Sequence, residues 1–563
     1  MQSFSLVPST ESAIGTPHIW GAGVISVRRA LTIVSIVGVL ACWPAVARAA
    51  ASQPERRSAT SNSPAAAAAA VSVEADFDND GFADLAVGVP REGVGGADLA
   101  GAVNVLDGSP AGLSGAGSQQ LVQGSGNVPD TAEPFDFFGN ALAAGDFNND
   151  GFVDLAIGVP GEDIGAIADA GAVTVLSGSA TGLAASGGQF FSQDSAGVLG
   201  AAETEDGFGS ALGVGDFDND GFADLAIGVP SEGSGAISQA GAVSVLYGSA
   251  GGLTSSGNQQ FLQGVGGVLG TAEIGDELGF ALGSGDFNND GFADLAVGAP
   301  FEDVGTVFDA GAINVLYGSA ANLSVTGDQV FFQGGGGIAG VAEPSDFFGA
   351  TLSGGDFNND SADDLAVAAP FEDVGSALDA GAINVLYGSA AKLTATGNQQ
   401  FFQGGGGMAG VAEDGDSFGF ALAVGDFNTN GFDDLVIGAI SEDIGAIQDA
   451  GAVNVLYGSA ARLTTTGDQQ FFQGSGGLVG TAEEGDFAGA ALATGDYDNN
   501  GFADLAVGAP FEDIGSILDA GAVDTLNGSA GTLTTTGAQQ FFQGSGGVPG
   551  TPEDGDAFGS TLA

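Results

Sequence analysis

Apolar residues in this chain come in short runs and nowhere at helical spacing. Around residue 300 there are four of them: Asp-Leu-Ala-Val-Gly (294–298), Gly-Ala-Ile-Asn-Val-Leu-Tyr-Gly (311–318), Gln-Val-Phe-Phe-Gln-Gly (329–334) and Phe-Gly-Ala-Thr-Leu (348–352). Runs of this length, rich in β-branched and aromatic residues and bounded by Gly, Asp, Asn or Pro, predict β-strands. No stretch carries a 3.6-residue period, so almost no helix is expected. The quartet repeats. The string Asp-Phe-Asp-Asn-Asp-Gly at Asp76 returns, with small changes, at Asp146, Asp216, Asp286, Asp356, Asp426 and Asp496, each time after 70 residues.

Seven repeats of four strands predict an all-β fold, a seven-bladed β-propeller of four-stranded antiparallel blades. The ends of the repeat array suggest how the ring closes. The first Asp string is preceded by Val71-Ser72-Val73 instead of a Phe-Gly strand, and the chain finishes on an unpaired Phe558-Gly559-Ser560-Thr561-Leu562. If the tail supplies the innermost strand of the first blade, both sheet edges are hidden. A longer parent chain, or residues 71–75 acting as that strand, are the alternatives. WD-type propellers repeat at about 40–45 residues with Gly-His and Trp-Asp marks, and the body has neither His nor Trp.

Composition narrows the function. Beyond Val71 there are 68 acids against three bases (Arg91, Lys392, Arg462), a net charge of −65. That balance argues against phosphate-backbone recognition, so no nucleic-acid partner is expected. It also disfavours anionic lipid and favours cations. The single His (His18), single Cys (Cys42) and both Trp residues precede residue 44. The body therefore lacks the residues for disulfides, for Cys–His or Ser–His–Asp nucleophiles and for His/Cys zinc sites.

The first 49 residues read as a secretory signal: Arg28-Arg29, an apolar run from Ala30 to Ala41, and Ala47-Arg48-Ala49 as a small-x-small cleavage site. Residues 50–70, rich in Ser, Pro and Ala, read as a flexible linker, and 71–563 as the propeller. The apolar run is too short to span a membrane, and no later run does. Val39-Leu40-Ala41-Cys42 also matches a lipoprotein box that would anchor the chain through Cys42, against the plainer reading of one Cys in an apolar run. The expected location is secreted or cell-surface.

The candidate chemistry lies in the recurring loop Asp-x-Asp/Asn-x-Asp/Asn-Gly-x-x-Asp. Its first positions are Asp76, Asp146, Asp216, Asp286, Asp356, Asp426 and Asp496. Its third positions are Asp78, Asn148, Asp218, Asn288, Asn358, Asn428 and Asp498, and its fifth Asp80, Asp150, Asp220, Asp290, Asp360, Asn430 and Asn500. Position seven offers a backbone oxygen (Phe82, Phe152, Phe222, Phe292, Ala362, Phe432, Phe502), and position nine is Asp84, Asp154, Asp224, Asp294, Asp364, Asp434 or Asp504. Oxygens at alternate positions of a tight loop suit Ca²⁺, which takes about six to eight of them. Carboxylates brought this close would repel one another without a cation. Up to seven Ca²⁺ sites follow. The last three are expected to be weaker, since Ser361 replaces Gly in the fifth copy and Asn430 and Asn500 replace Asp. The twelfth position is Val or Ile, not the bidentate Glu of an EF-hand, so the loop joins strands. The competing reading is a set of metal-free Asn-Asp-Gly turns.

Phe-Gly-x-x-Leu followed by Gly-Asp-Phe-Asn-Asn-Asp-Gly-Phe-Ala-Asp-Leu-Ala-Val-Gly-Ala-Pro (285–300) resembles the FG-GAP repeat of the integrin α-subunit propeller. It is also similar to bacterial FG-GAP proteins, whose Gly-Ser-x-x-x-Leu element matches 318–323. The resemblance covers 71–563. It implies seven blades, Ca²⁺ in the hairpin loops of one face and ligand binding on the other. Leu278, Ala488, Ala368 and Ile440 depart from the motif, and nothing resembles the rest of an integrin subunit.

Alternate loops leave an antiparallel blade on opposite faces. Opposite the Asp loops, acids recur in the second-to-third connection (Glu302, Asp303, Asp309) and as Glu-x-x-Asp between blades (Glu133/Asp136 onward). They read either as a partner-binding surface or as ties for loop backbone. The paired Phe residues (331–332, 401–402, 471–472, 541–542) read as inter-blade packing rather than a carbohydrate platform. The leading expectation is a non-enzymatic adhesion module for an unidentified protein or glycan. The alternatives are a glycan-active hydrolase and a structural surface or matrix component. Near-identical repeats give paired carboxylates similar environments, whereas a catalytic pair needs dissimilar ones.

Overall fold

The computed structural model describes residues 75–563. The signal segment, the linker, Cys42 and Val71-Ser72-Val73 lie outside the described residues. Seven four-stranded antiparallel sheets form the blades of a propeller. Blade 2 shows the pattern: Ala141–Gly145 innermost, then Asp154–Val159, Ala172–Ser177 and Ala184–Phe191 outermost. The second and third strands are buried along almost their whole length. Both faces of a blade pack on neighbouring blades, which is why these strands read as continuous apolar runs. The outer strand, Ala-Ala-Ser-Gly-Gly-Gln-Phe-Phe, is half-exposed and polar. Among the described residues, Gly474–Gly476 is the one helical turn.

The innermost strands contact one another in ring order: Ala141–Gly145, Ala211–Gly215, Leu282–Gly285, Thr351–Gly355, Phe418–Gly425, Ala491–Gly495 and Thr561–Leu562. The last belongs to blade 1. Thr561–Leu562 pairs with Leu85–Val89 (Val87↔Leu562, Gly88↔Thr561), and Ala86 and Ala563 exchange backbone hydrogen bonds of 2.8 and 3.0 Å. Ala75 completes that strand by accepting from Asp84 N at 3.1 Å. The tail thus closes the ring as the repeat count predicts.

One glycine per blade is set by close approach. A Cβ on Gly158 would lie 2.2 Å from the carbonyl oxygen of Gly209 in the next blade, and one on Gly298 would lie 2.1 Å from Gly349 O. Blade 5 carries Ala368 at this place, and the neighbouring inner strand, Phe418–Gly425, differs from the others. It begins earlier and has an irregularity between Phe418 and Leu422, as expected where a methyl occupies the approach of a backbone. The seams are apolar. Phe77, Phe147, Phe217, Phe287, Phe357 and Phe427 are fully buried between blades, each contributing about 1.5–3 kcal/mol of burial. The first Phe of each pair (Phe331, Phe401, Phe471, Phe541) is buried too, in keeping with packing.

Candidate metal loops

Each Asp loop links the innermost strand to the second, so all seven emerge on one face. Local geometry follows from residue type. The first Asp accepts two backbone N–H groups across the turn: Asp146 Oδ1 from Asp150 N at 3.1 Å and Oδ2 from Gly151 N at 2.9 Å. The fifth residue accepts from the seventh, as Asp150 Oδ1 does from Phe152 N at 3.0 Å. The ninth Asp staples the loop to its blade. Asp84 Oδ2 accepts from Phe77 N and Oδ1 from Gly108 N, both at 2.9 Å, and Gly108 opens the connection between the third and outer strands. Position six has φ between +83° and +95° in the six copies with Gly, and Ser361 adopts +77°. Position four is left-handed as well, with Asn in six copies and Thr429 in the sixth.

The loops also interlock around the ring. The eighth residue of each donates its N–H to the first Asp carbonyl of the preceding blade, as in Val153 N to Asp76 O (3.4 Å), and Ala83 N to Asp496 O (3.2 Å) closes the circle. A second set runs from the Ser of each Gly-Ser element to the loop's second residue one blade back, such as Ser179 N to Phe77 O at 3.0 Å. Sequence reading missed both sets, because backbone bonds leave no residue-type signal.

In blades 1, 3 and 7 the carboxylates of positions one, three and nine converge with ligand atoms within 4.8 Å of one another: Asp76/Asp78/Asp84, Asp216/Asp218/Asp224 and Asp496/Asp498/Asp504. Convergence of carboxylates therefore follows the third position. The seventh loop, expected to be weaker for Asn500, brings together as many as the first. In the other four, the Asn at position three turns Nδ2 toward the ninth Asp, from 2.9 Å in Asn428–Asp434 to 3.3 Å in Asn148–Asp154. A half-turn of that amide presents Oδ1 to the loop instead, and Asn148 Oδ1 is buried without a partner. Burial pushes the ninth Asp up to about 8 in Asp84, Asp224, Asp364 and Asp434, about 9 in Asp294 and about 7 in Asp154 and Asp504. Neighbouring loop carboxylates push the same way. A buried oxygen set with surplus negative charge fits a hard cation such as Ca²⁺.

On the opposite face, the aspartate of every Glu-x-x-Asp pair accepts its glutamate's N–H, as in Glu203 N to Asp206 Oδ2 at 2.6 Å. Asp303 Oδ1 likewise accepts from Asp309 N at 3.0 Å. Those acids tie backbone. The second-to-third connection also holds a buried glutamate, such as Glu162, which accepts from Gln123 Nε2 of the preceding blade at 2.6 Å. The equivalent Gln in all seven blades, from Gln123 to Gln543, has an unpartnered, buried Oε1. Burial raises these glutamates: Glu162 to about 9 and Glu232, Glu302, Glu372 and Glu512 to about 7. A Gln recurring every 70 residues was the available signal. The connections on this face also carry exposed large apolar side chains, from Phe135, Ile274 and Phe308 to Val341, Val411 and Leu518, while Leu199 and Leu269 lie along the outer strand of the next blade. Phe280, Phe301, Phe347 and Phe371 form a chain of ring contacts across blades 4 and 5, at 5.8, 4.8 and 5.4 Å.

The FG-GAP repeat family model matches seven times, at 67–106, 138–176, 208–246, 278–316, 348–386, 418–456 and 488–526. Human phosphatidylinositol-glycan-specific phospholipase D is 32% identical over 223 residues, 37% of this chain and 25% of that protein. The rat protein of that name is 36% identical over 169 residues, 30% and 19% respectively. Integrin alpha-5 of Xenopus laevis is 30% identical over 212 residues, 37% and 17%. The chain thus spans a quarter or less of the length of these curated relatives. A rhamnogalacturonan lyase of Bacillus licheniformis aligns over 73% of this chain and 75% of its own at 12% identity, with a TM-score of 0.32. That likeness is too low to argue from. Among the described residues, no helix is long and apolar enough to cross a membrane.

Proposed function

The chain is an FG-GAP repeat protein with an integrin-alpha-like propeller, and from that premise we propose that it is an extracellular, calcium-binding interaction module rather than an enzyme. Its partner, a protein or glycan, is held on the face opposite the Asp loops. The observation that carries this reading is the exposure of large apolar side chains in the connections of that face: Phe135, Ile274, Phe308, Val341, Val411 and Leu518. Exposed apolar groups set among acids mark an interaction surface. Calcium in the loops would stiffen the ring that presents this surface. Extracellular modules bind Ca²⁺ at about 10⁻⁴–10⁻³ M, and the resemblance of the family to integrin α-subunits supports a secreted or cell-surface setting.

The test is a protein and glycan binding screen of the purified chain in calcium, repeated with EDTA and with Phe308→Ser/Val411→Ser. The expected result is a ligand retained in calcium and lost in the double variant, with folding intact. A ligand captured equally by the double variant would overturn the assignment of the face.

A further inference from the structure

Blade 7 breaks the repeat at one buried position. The middle of the third strand is Asn104, Thr174, Ser244, Asn314, Asn384 and Asn454 in blades 1 to 6, and Asp524 in blade 7. Each Asn there bridges to the preceding blade. Asn314 Nδ2 donates to Leu269 O at 2.9 Å, Asn384 Nδ2 to Ala339 O at 3.0 Å and Asn454 Nδ2 to Ala409 O at 3.1 Å. The Oδ1 of these Asn residues faces the Gln amide of that blade, with Gln403 Nε2 3.4 Å from Asn454 Oδ1.

An aspartate in this slot has no hydrogen to give the carbonyl. Asp524 is fully buried, and both its oxygens lack hydrogen-bond partners. The corresponding carbonyl, Val479 O, is taken instead by Gln540 Nε2 at 3.3 Å. In blade 6 the equivalent Gln470 reaches Glu442 at 3.2 Å. Gln473 Oε1, across the seam, is buried and unpartnered as well. The groups acting on Asp524 are Glu512 on its own blade's second-to-third connection, Asp486 on the segment entering the blade, and the amides of Gln473 and Gln540, neither close or straight enough to bond. None of them carries positive charge. The site thus gathers acceptors and lacks one donor, and a charge left there would be buried beside a second carboxyl.

We propose that Asp524 is a neutral carboxylic acid at neutral pH, its O–H supplying the donor that the seam between blades 6 and 7 lacks, and that its ionisation loosens this seam. Burial and the Glu512 carboxyl both favour the protonated form. At this position the sister blades carry an amide or hydroxyl that does not titrate, so blade 7 alone adds a titrating group in the middle of its third strand. The folded acid holds its proton to a higher pH than the unfolded one, so the seam is tightest in acid and loosens as pH rises.

The test is hydrogen exchange across residues 522–526, from pH 5 to 9, on the full chain, on Asp524→Asn and on the reciprocal Asn454→Asp. After correction for intrinsic exchange, seam opening in the wild type should rise about tenfold per pH unit until Asp524 ionises in the closed seam, then level off. Asp524→Asn should abolish that rise, and Asn454→Asp should import one into 452–456. Each variant is measured in EDTA and in calcium. Equal slopes in wild type and Asp524→Asn, or a wild-type slope that calcium removes, would overturn the proposal, the latter by substituting a cation for the proton. If Asp524→Asn does not fold, the imported slope in Asn454→Asp decides alone.

Discussion

Both faces of the ring are rich in acids and use them differently. On the loop face, each first Asp accepts two backbone N–H groups, each ninth Asp staples its loop to the blade through one or two, and the loops are laced to their neighbours around the circle. No large apolar side chain is exposed there among the described residues. On the other face, the Asp of each Glu-x-x-Asp pair ties its turn, but buried glutamates pair with amides whose oxygens lack donors, and apolar side chains stand in solvent. One face is organised by its own hydrogen bonds and has an oxygen set that a cation completes. The other leaves polar and apolar groups for something else to satisfy. Acidity by itself therefore says little about function until the donors around each carboxylate are known.

The largest effect should come from breaking the ring that both faces share. Leu562 is fully buried in the closing strand, so Leu562→Asp should cost more than about 4 kcal/mol in urea unfolding, since it buries an unpaired charge beside a broken strand. A variant as stable as wild type would mean that the tail does not close the ring. Next is the loop staple. Asp154→Ala leaves Gly178 N and Phe147 N without their acceptor, bonded now at 2.9 and 3.1 Å, and should lose about 2–4 kcal/mol. It should also reduce the rise in melting temperature on adding calcium, which calorimetry against EDTA would read.

A pH series separates the faces. Glutamates whose folded pKa is raised hold protons that the unfolded chain has released. Their contribution is therefore fully present below about pH 4.5 and is lost as pH rises through about 7 to 9. In saturating calcium, where the loop carboxylates are held ionised, the remaining fall in stability toward pH 9 belongs to the acids of the opposite face and to Asp524, and Glu162→Gln should reduce it. An unchanged slope would dissociate the glutamates from it. The smallest effect is conformational: Ser361→Gly should stabilise by about 1 kcal/mol, because Ser361 sits at φ +77° where six copies have Gly.

Much of this was legible in the residues. The step of 70, the four apolar runs and the orphan Phe558-Gly559 strand led to seven blades and to the closing pair, because strand periodicity and turn residues are local signals. The oxygen-bearing positions of the loops were equally plain. Which loops gather three carboxylates was not, since Asn and Asp at position three differ by one group whose orientation is set by the ninth Asp. Asp524 differs from its Asn counterparts by one group, so residue type alone does not mark it.

By itself, then, the sequence determined the repeat, the strand pattern, the charge and the lack of His, Cys and Trp beyond residue 43, all properties of residues and their spacing along the chain. Only the tertiary structure decided which carbonyl faces which side chain across a seam, where donors run short, and which face leaves its apolar groups in water. Those depend on residues about 40 to 450 positions apart meeting in space, as Gln543 and Glu92 do at 2.6 Å, and a buried acid is defined by those neighbours rather than by its own identity.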